Sequence, residues 1–191
     1  MTAFFGDLSL VGVDDGSFKA FQRQSGQKCP LCAVKMKGPK IEDVQISMIT
    51  VDGLDVTPKL VWMLRKMSFG VAILSGITFA GFNIVDTQQL FRELSRPVIV
   101  FMKDRPDNDA MKQALQKHFK DWKERWALVE SLGVMYSAST RSGEPPVYFE
   151  VVGLDPLSAE NILRRSALLC RVPEPLRVAR LIARQVSYTS C

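Results

Sequence analysis

The chain is nearly without histidine. His118 is the only one in 191 residues, and it lies far along in a stretch that reads as helical. Cysteine is almost as scarce, with Cys29, Cys32, Cys170 and Cys191 the full set. The CPLC at 29–32 has zinc-ligand spacing, but a closed structural zinc site takes four ligands and no second CxxC is present. The expectation is that Cys29 falls at the start of a strand, Cys32 lies inside it, and neither binds zinc. Long apolar runs are missing too. None approaches the roughly 20 residues that span a bilayer, and the opening MTAFFGDLSL lacks the basic segment of a secretory signal. A cytoplasmic protein with reduced thiols is expected. Acidic residues thin out toward the C-terminus: from Leu157 onward only Glu160 and Glu174 oppose Arg164, Arg165, Arg171, Arg177, Arg180 and Arg184. Much of the net charge of +5 therefore sits there. Guanidinium forks suit phosphate better than ammonium does, so an anionic partner is indicated.

What remains is ordinary for a globular chain: 47% hydrophobic and 24% charged residues, long enough to bury a core as a single domain over 1–191. The organising stretch is LSLVGVDDGSF at 8–18. An apolar run ending in Asp14-Asp15-Gly16 reads as an interior strand over residues 8–14 with a turn behind it. Strand side chains alternate, so Asp14 and Asp15 should point to opposite faces, one into a cleft and one to cap a turn. A polar loop is expected over 19–28. Alternating residues 31–37 and 44–51 read as two further antiparallel strands. Thr57-Pro58 reads as the start of a helix with Leu60, Leu64 and Met67 on its buried face. Strands are expected at 70–74, 97–102 and 147–152. Helices are expected at 87–94, at 108–133 as one or two segments, and at 157–169 and 176–186. Three antiparallel strands followed by alternating strands and helices make an α/β fold with a mixed sheet.

Carboxylates gather at strand ends. Asp14 closes the first strand, Asp52 the third, and Asp55 precedes a helix. Hard oxygen ligands of this kind suit Mg²⁺ or Mn²⁺, which activates water in metal nucleases. Each also has a bland explanation: Asp-Gly is common turn chemistry, and a carboxylate near a helix N-terminus is favourable on its own. In SGITFAGFNIVD, Gly76 and Gly81 flank a tight apolar connection, as a packing bend or a close approach to a ligand requires. Arg177, Arg180 and Arg184 follow at spacings of three and four and read as a solvated face or a phosphate-backbone contact.

VGVDDGSF, ITVDGLDVT, SGITFAGFNIVD, PVIVFMKDRP and VPEPLRVARLIA, in this order and nearly end to end, resemble the endonuclease dU family. This largely archaeal family is similar to endonuclease V. The resemblance implies an RNase H-like fold and metal-dependent nicking of DNA near deaminated bases, deoxyuridine in particular, with Mg²⁺ or Mn²⁺ as cofactor. It matches Asp14 to the first-strand metal carboxylate and Asp55 to the second acidic ligand, with Asp52 the nearby alternative. It places Asp15, Ser75, Gly76, Gly81 and Asn83 about the pocket, and Arg177, Arg180 and Arg184 on the phosphates. Two positions depart from endonuclease V. Ser75 stands where an Asp is expected, and Arg180 where a histidine is expected. The competing readings are a catalytically weakened nucleic-acid-binding member of the same fold, and a small-molecule α/β enzyme using the same carboxylate cleft. No membrane partner is expected.

Overall fold

A computed structural model describes residues 8–18 and 26–189. Residues 19–25 of the expected polar loop and Cys191 lie outside the described residues. The apolar run at the N-terminal end forms β1 (Ser9–Asp15). β2 (Lys28–Lys37) and β3 (Lys40–Thr50) follow as a hairpin around Gly38. α1 (Val56–Leu64) leads into β4 (Val71–Leu74). A small hairpin, β5 (Thr78–Phe79) and β6 (Asn83–Ile84), precedes α2 (Thr87–Leu94) and β7 (Val98–Met102). α3 (Asn108–His118), α4 (Trp122–Glu130), β8 (Tyr136–Ala138), β9 (Val147–Val152), α5 (Pro156–Ser166) and α6 (Glu174–Thr189) complete the chain.

The main sheet has seven strands in the order β3-β2-β1-β4-β7-β9-β8. β1 is interior, antiparallel to β2 and parallel to β4, as its unbroken apolar run requires. Its alternation builds the two layers. Val11 and Val13 join the core under α1 and the β5–β6 hairpin, with Leu31, Leu60 and Leu74. The other face of the same strands meets α6, where Cys32, Val34 and Met36 pack on Ala179 and Ala183. A further core lies under α5, around Ile99, Phe149 and Ile162.

The segment expected as one or two helices over 108–133 is two, and three short strands escaped the sequence reading. β5, β6 and β8 are two or three residues long, too short to show a period. α1 starts two residues earlier than its Thr-Pro signal suggests. Asp55 takes the cap position without a capping hydrogen bond, because its carboxylate is turned back to Thr50. Thr57 instead accepts a hydrogen bond from the Asp86 amide and ties α1 to the start of α2. Cys29 and Cys32 fall at the start of and within β2, as expected. Three residues apart on a strand, they face opposite layers, Cys29 toward α1 and Cys32 toward α6, which precludes a shared ion. Burial pushes both thiols up to about 12, helped by the Asp15 and Asp14 carboxyls at Cys29 and by Asp14 alone at Cys32. Among the described residues no helix is long and apolar enough to cross a membrane.

Candidate metal and phosphate cleft

The end of β1 is where the two layers separate, and the side-chain alternation sorts its carboxylates. Asp15, in the same phase as Val11 and Val13, accepts a hydrogen bond from the Ala80 amide at 2.5 Å and so caps the turn of the β5–β6 hairpin. Asp14, in the other phase, sits on the α6 side. Its Oδ1 accepts from the Ser75 hydroxyl at 2.7 Å and from the Asp15 amide at 2.9 Å. Its Oδ2 accepts no hydrogen bond among the described residues. Alternation predicts opposite faces, and Asp15 does cap the turn, but its carboxyl also lines the Asp14 cleft and lies within hydrogen-bonding reach of Asp14 when one of the two is protonated.

Ser75 arrives there because β4 runs parallel to β1 and ends beside it. The Ser75 amide donates to the Val13 carbonyl, which fixes the hydroxyl next to Asp14. α6 arrives because Gly12 has no side chain. A Cβ at residue 12 would stand 2.2 Å from the Pro175 carbonyl carbon and 2.4 Å from the Leu176 nitrogen, so the helix can lie against β1 only over glycine. The small, fully buried Ala179 and Ala183 continue that contact. The helix then carries Arg180 and Arg184 to the mouth of a cleft of about 410 Å³, lined by Asp14, Asp15, Ser75, Phe18 and these two arginines. Neither arginine makes an ion pair among the described residues.

Burial raises the Asp14 carboxyl to about 6, with the neighbouring Asp15 charge acting in the same direction. The Ser75 hydrogen bond and the Arg180 charge oppose the rise. Burial raises Asp15 as well, against the pull of the Ala80 amide. Two crowded, desolvated carboxyls are costly as anions, and a cation would reverse that cost.

The structure brings together only part of the set expected from the sequence. Asp14, Asp15, Ser75, Arg180 and Arg184 share the cleft. Asp52 and Asp55 are not among its lining residues. The Asp55 carboxylate accepts from the Thr50 amide at 3.0 Å, the Thr50 hydroxyl at 2.9 Å and the Asn83 side-chain amide at 2.7 Å, with Lys28 at 3.9 Å. Burial by itself would raise this carboxyl, but those hydrogen bonds and the Lys28 charge outweigh it and hold it below its ordinary value. Asp52 has a left-handed backbone, φ 57°, and its Oδ1 accepts from the Phe82 amide. A Cβ at Gly81 would stand 2.3 Å from that Oδ1, so Gly81 serves hairpin packing. Asn83 is fully buried and joins Asp55, the Thr50 carbonyl and the Val56 amide. Gly76 lines the adjoining cavity rather than the Asp14 cleft. Arg177 is folded back on Glu174, at 2.6 and 2.9 Å, and does not line the cleft with Arg180 and Arg184.

Sequence reading missed Arg125, whose buried guanidinium donates to the Asp52, Gly53 and Phe82 carbonyls and locks the hairpin to the β3–α1 turn. Nothing in a helix sequence marks an arginine as buried. It also missed Glu150, buried on β9, although a lone acid within the apolar run VYFEVV was a legible signal.

The endonuclease dU family model matches residues 7–187. The UPF0215 protein of Pyrococcus furiosus is 36% identical over 185 residues, covering 94% of this chain and 92% of its own. A crystal structure of a protein of unknown function from Archaeoglobus fulgidus superposes with a TM-score of 0.82 at 31% identity, over 94% of this chain and 98% of that one. Ciona intestinalis endonuclease V, crystallised with a 24mer DNA containing an inosine followed by a ribo-adenosine, gives a TM-score of 0.62 at 14% identity, over 96% and 87%. That likeness extends to the fold, the RNase H-like fold of endonuclease V. Matched from end to end by the family model and by relatives of nearly its own length, the chain belongs to the endonuclease dU family.

Proposed function

We propose that this protein is a metal-dependent endonuclease that nicks DNA beside deaminated bases, deoxyuridine among them. One observation carries the reading. The interior strand β1 ends in a buried carboxylate, Asp14, that shares a cleft with two arginines free of ion pairs among the described residues, Arg180 and Arg184. Membership of the family and the DNA-bound endonuclease V neighbour support it.

The donor set fits a hard divalent ion. Asp14 and Asp15 supply carboxylate oxygens and Ser75 a hydroxyl, all suited to Mg²⁺ or Mn²⁺. Among the described residues no group of three or more acidic, cysteine or histidine side chains could hold an ion. Mg²⁺ does not need one, because it is usually held by one or two carboxylates with waters and substrate phosphates. Such an ion, when bound, lowers the pKa of a water and neutralises the leaving oxygen. The chain's own residues do the rest. Ser75 and the Asp15 amide fix the orientation of the Asp14 carboxylate. Arg180 and Arg184 bind the phosphates on either side of the scissile bond. Arg180, always charged, stabilises the phosphate and moves no proton near neutral pH.

The test is nicking of duplexes carrying deoxyuridine, deoxyinosine or no lesion, with Mg²⁺, Mn²⁺ or EDTA. Metal-dependent nicks at lesions are the expected result; none with either metal would overturn the reading. A second reading, a binding member with weakened chemistry, is favoured by Ser75 and Arg180 standing where the endonuclease V pattern has an acid and a histidine. It gives salt-sensitive lesion binding without cleavage.

A further inference from the structure

A second cavity, about 280 Å³, shares Ser75 with the Asp14 cleft. Its walls are mostly apolar, with Ile77, Met102, Met111, Val129 and Leu132 among them. Into this wall β9 sets Glu150, cross-strand from Val100 of β7. Glu150 is only 7% exposed and has no hydrogen bond or ion pair among the described residues. The one sealed, unpartnered side-chain oxygen or nitrogen among the described residues is Thr87 Oγ1, so the Glu150 oxygens open onto the cavity, where the apolar surroundings still disfavour their charge. Pockets for drug-sized ligands run to roughly 300–1,000 Å³, mostly apolar with a few placed polar groups. A slightly smaller cavity with one such group suits a single flat heterocycle.

We propose that this cavity receives an unstacked nucleobase, and that the Glu150 carboxyl hydrogen-bonds the base's edge while its phosphodiester lies in the Asp14 cleft. The inference rests on the nuclease reading of that cleft and names its base subsite. Ser75 links the two: its hydroxyl touches Asp14 and its residue lines the cavity. Deaminated bases leave the stack at lower cost than well-paired ones. Uracil and hypoxanthine each present a ring N–H beside a C=O. A protonated carboxyl presents the complement, one C=O acceptor and one O–H donor, and makes two hydrogen bonds. The carboxylate has acceptors only and faces the ring carbonyl with a like partial charge. Burial raises the Glu150 carboxyl to about 7, so the pairing form persists to near neutral pH. The other charged side chain lining the cavity is Lys103, just past the end of β7. α3 contributes Asn108 and Met111 and α4 contributes Val129, none of them ionisable. Methionine walls adapt to the faces of a planar ring.

The experiment compares, by fluorescence anisotropy in EDTA, duplexes carrying one deoxyuridine or one abasic site opposite guanine. Wild type is expected to prefer deoxyuridine at least tenfold at pH 6 and to lose most of that preference by pH 8.5. Glu150→Gln, whose amide keeps one donor and one acceptor at all pH, should hold the preference at both. Glu150→Leu should abolish it at both, with abasic-duplex affinity unchanged and a melting temperature at or above wild type at pH 8.5. Retention of the preference in Glu150→Leu, or its absence in wild type at pH 6, would overturn the subsite. A preserved preference without metal-dependent nicking would instead sink the nuclease reading and leave the subsite standing.

Discussion

Asp14 and Asp55 are both carboxylates near a strand end, and their surroundings differ. Asp14 is 8% exposed, raised toward 6, and has an oxygen without a hydrogen bond among the described residues. Asp55 is held by three donors within 3.0 Å and stays ionised. Asp14→Asn should therefore abolish metal-dependent nicking, with a melting temperature at or above wild type in metal-free buffer at pH 8. Asp55→Asn should cost about 1–3 kcal/mol by stranding its donors; a loss of nicking with no loss of stability would show that Asp55 is a ligand. Ser75 gives a complementary test. Its hydroxyl lies 2.7 Å from Asp14, so Ser75→Asp sets two carboxylates side by side. Divalent-ion affinity, read by calorimetric titration, should rise, while the metal-free protein should lose stability above pH 6 through like-charge crowding. Unchanged affinity would mean that residue 75 does not face the ion.

At the scale of elements, the cleft is made by one helix lying on one strand. Gly12→Ala drives a methyl into the backbone of Pro175 and Leu176. Overpacking of this kind costs roughly 1–3 kcal/mol or more, and here the helix must lift, carrying Arg180 and Arg184 away from Asp14. Gly12→Ala should melt earlier and bind DNA more weakly, as if both arginines were removed. Arg180→Ala and Arg184→Ala should each weaken binding to all DNA sequences and lower the slope of log K against log salt by about one; a slope that stays at the wild-type value in both would place the phosphates elsewhere. The arginine helix and the interior strand were legible in the sequence because period and apolar content are local. The separation of Arg177 from its neighbours was not, because it depends on Glu174 one turn away. Neither was the fate of Asp55, set by Asn83 from 28 residues further along. The β5–β6 hairpin was read as a tight glycine turn; its glycines gave the bend, but two-residue strands gave no alternation to read.

Across the whole molecule, buried acid works against stability at alkaline pH. Glu150 moves from 4.5 to about 7 on folding. Between those values the folded state holds a proton that the unfolded state has lost, so unfolding releases protons and stability falls as pH rises. Below pH 4.5 both states are protonated and the group contributes nothing; above 7 the full cost is present. A shift of this size corresponds to at most about 3 kcal/mol, and to less here because the carboxyl opens onto a cavity that water enters. Asp14, raised to about 6, acts in the same sense in metal-free protein, and a bound divalent ion should cancel its share. The net charge of +5 relaxes on going alkaline and would by itself favour the folded state, so a fall in stability points to particular buried groups and not to the overall charge. Glu150→Gln isolates its own part, because the amide does not titrate. Wild type and Glu150→Gln should melt together at pH 4.5. At pH 8, with EDTA present, the variant should melt several degrees higher, at about 2–4 °C per kcal/mol for a chain of this size. Parallel melting curves for the two proteins from pH 4.5 to 8 would show that Glu150 is not held protonated, and would remove the physical basis for its hydrogen bond to a base.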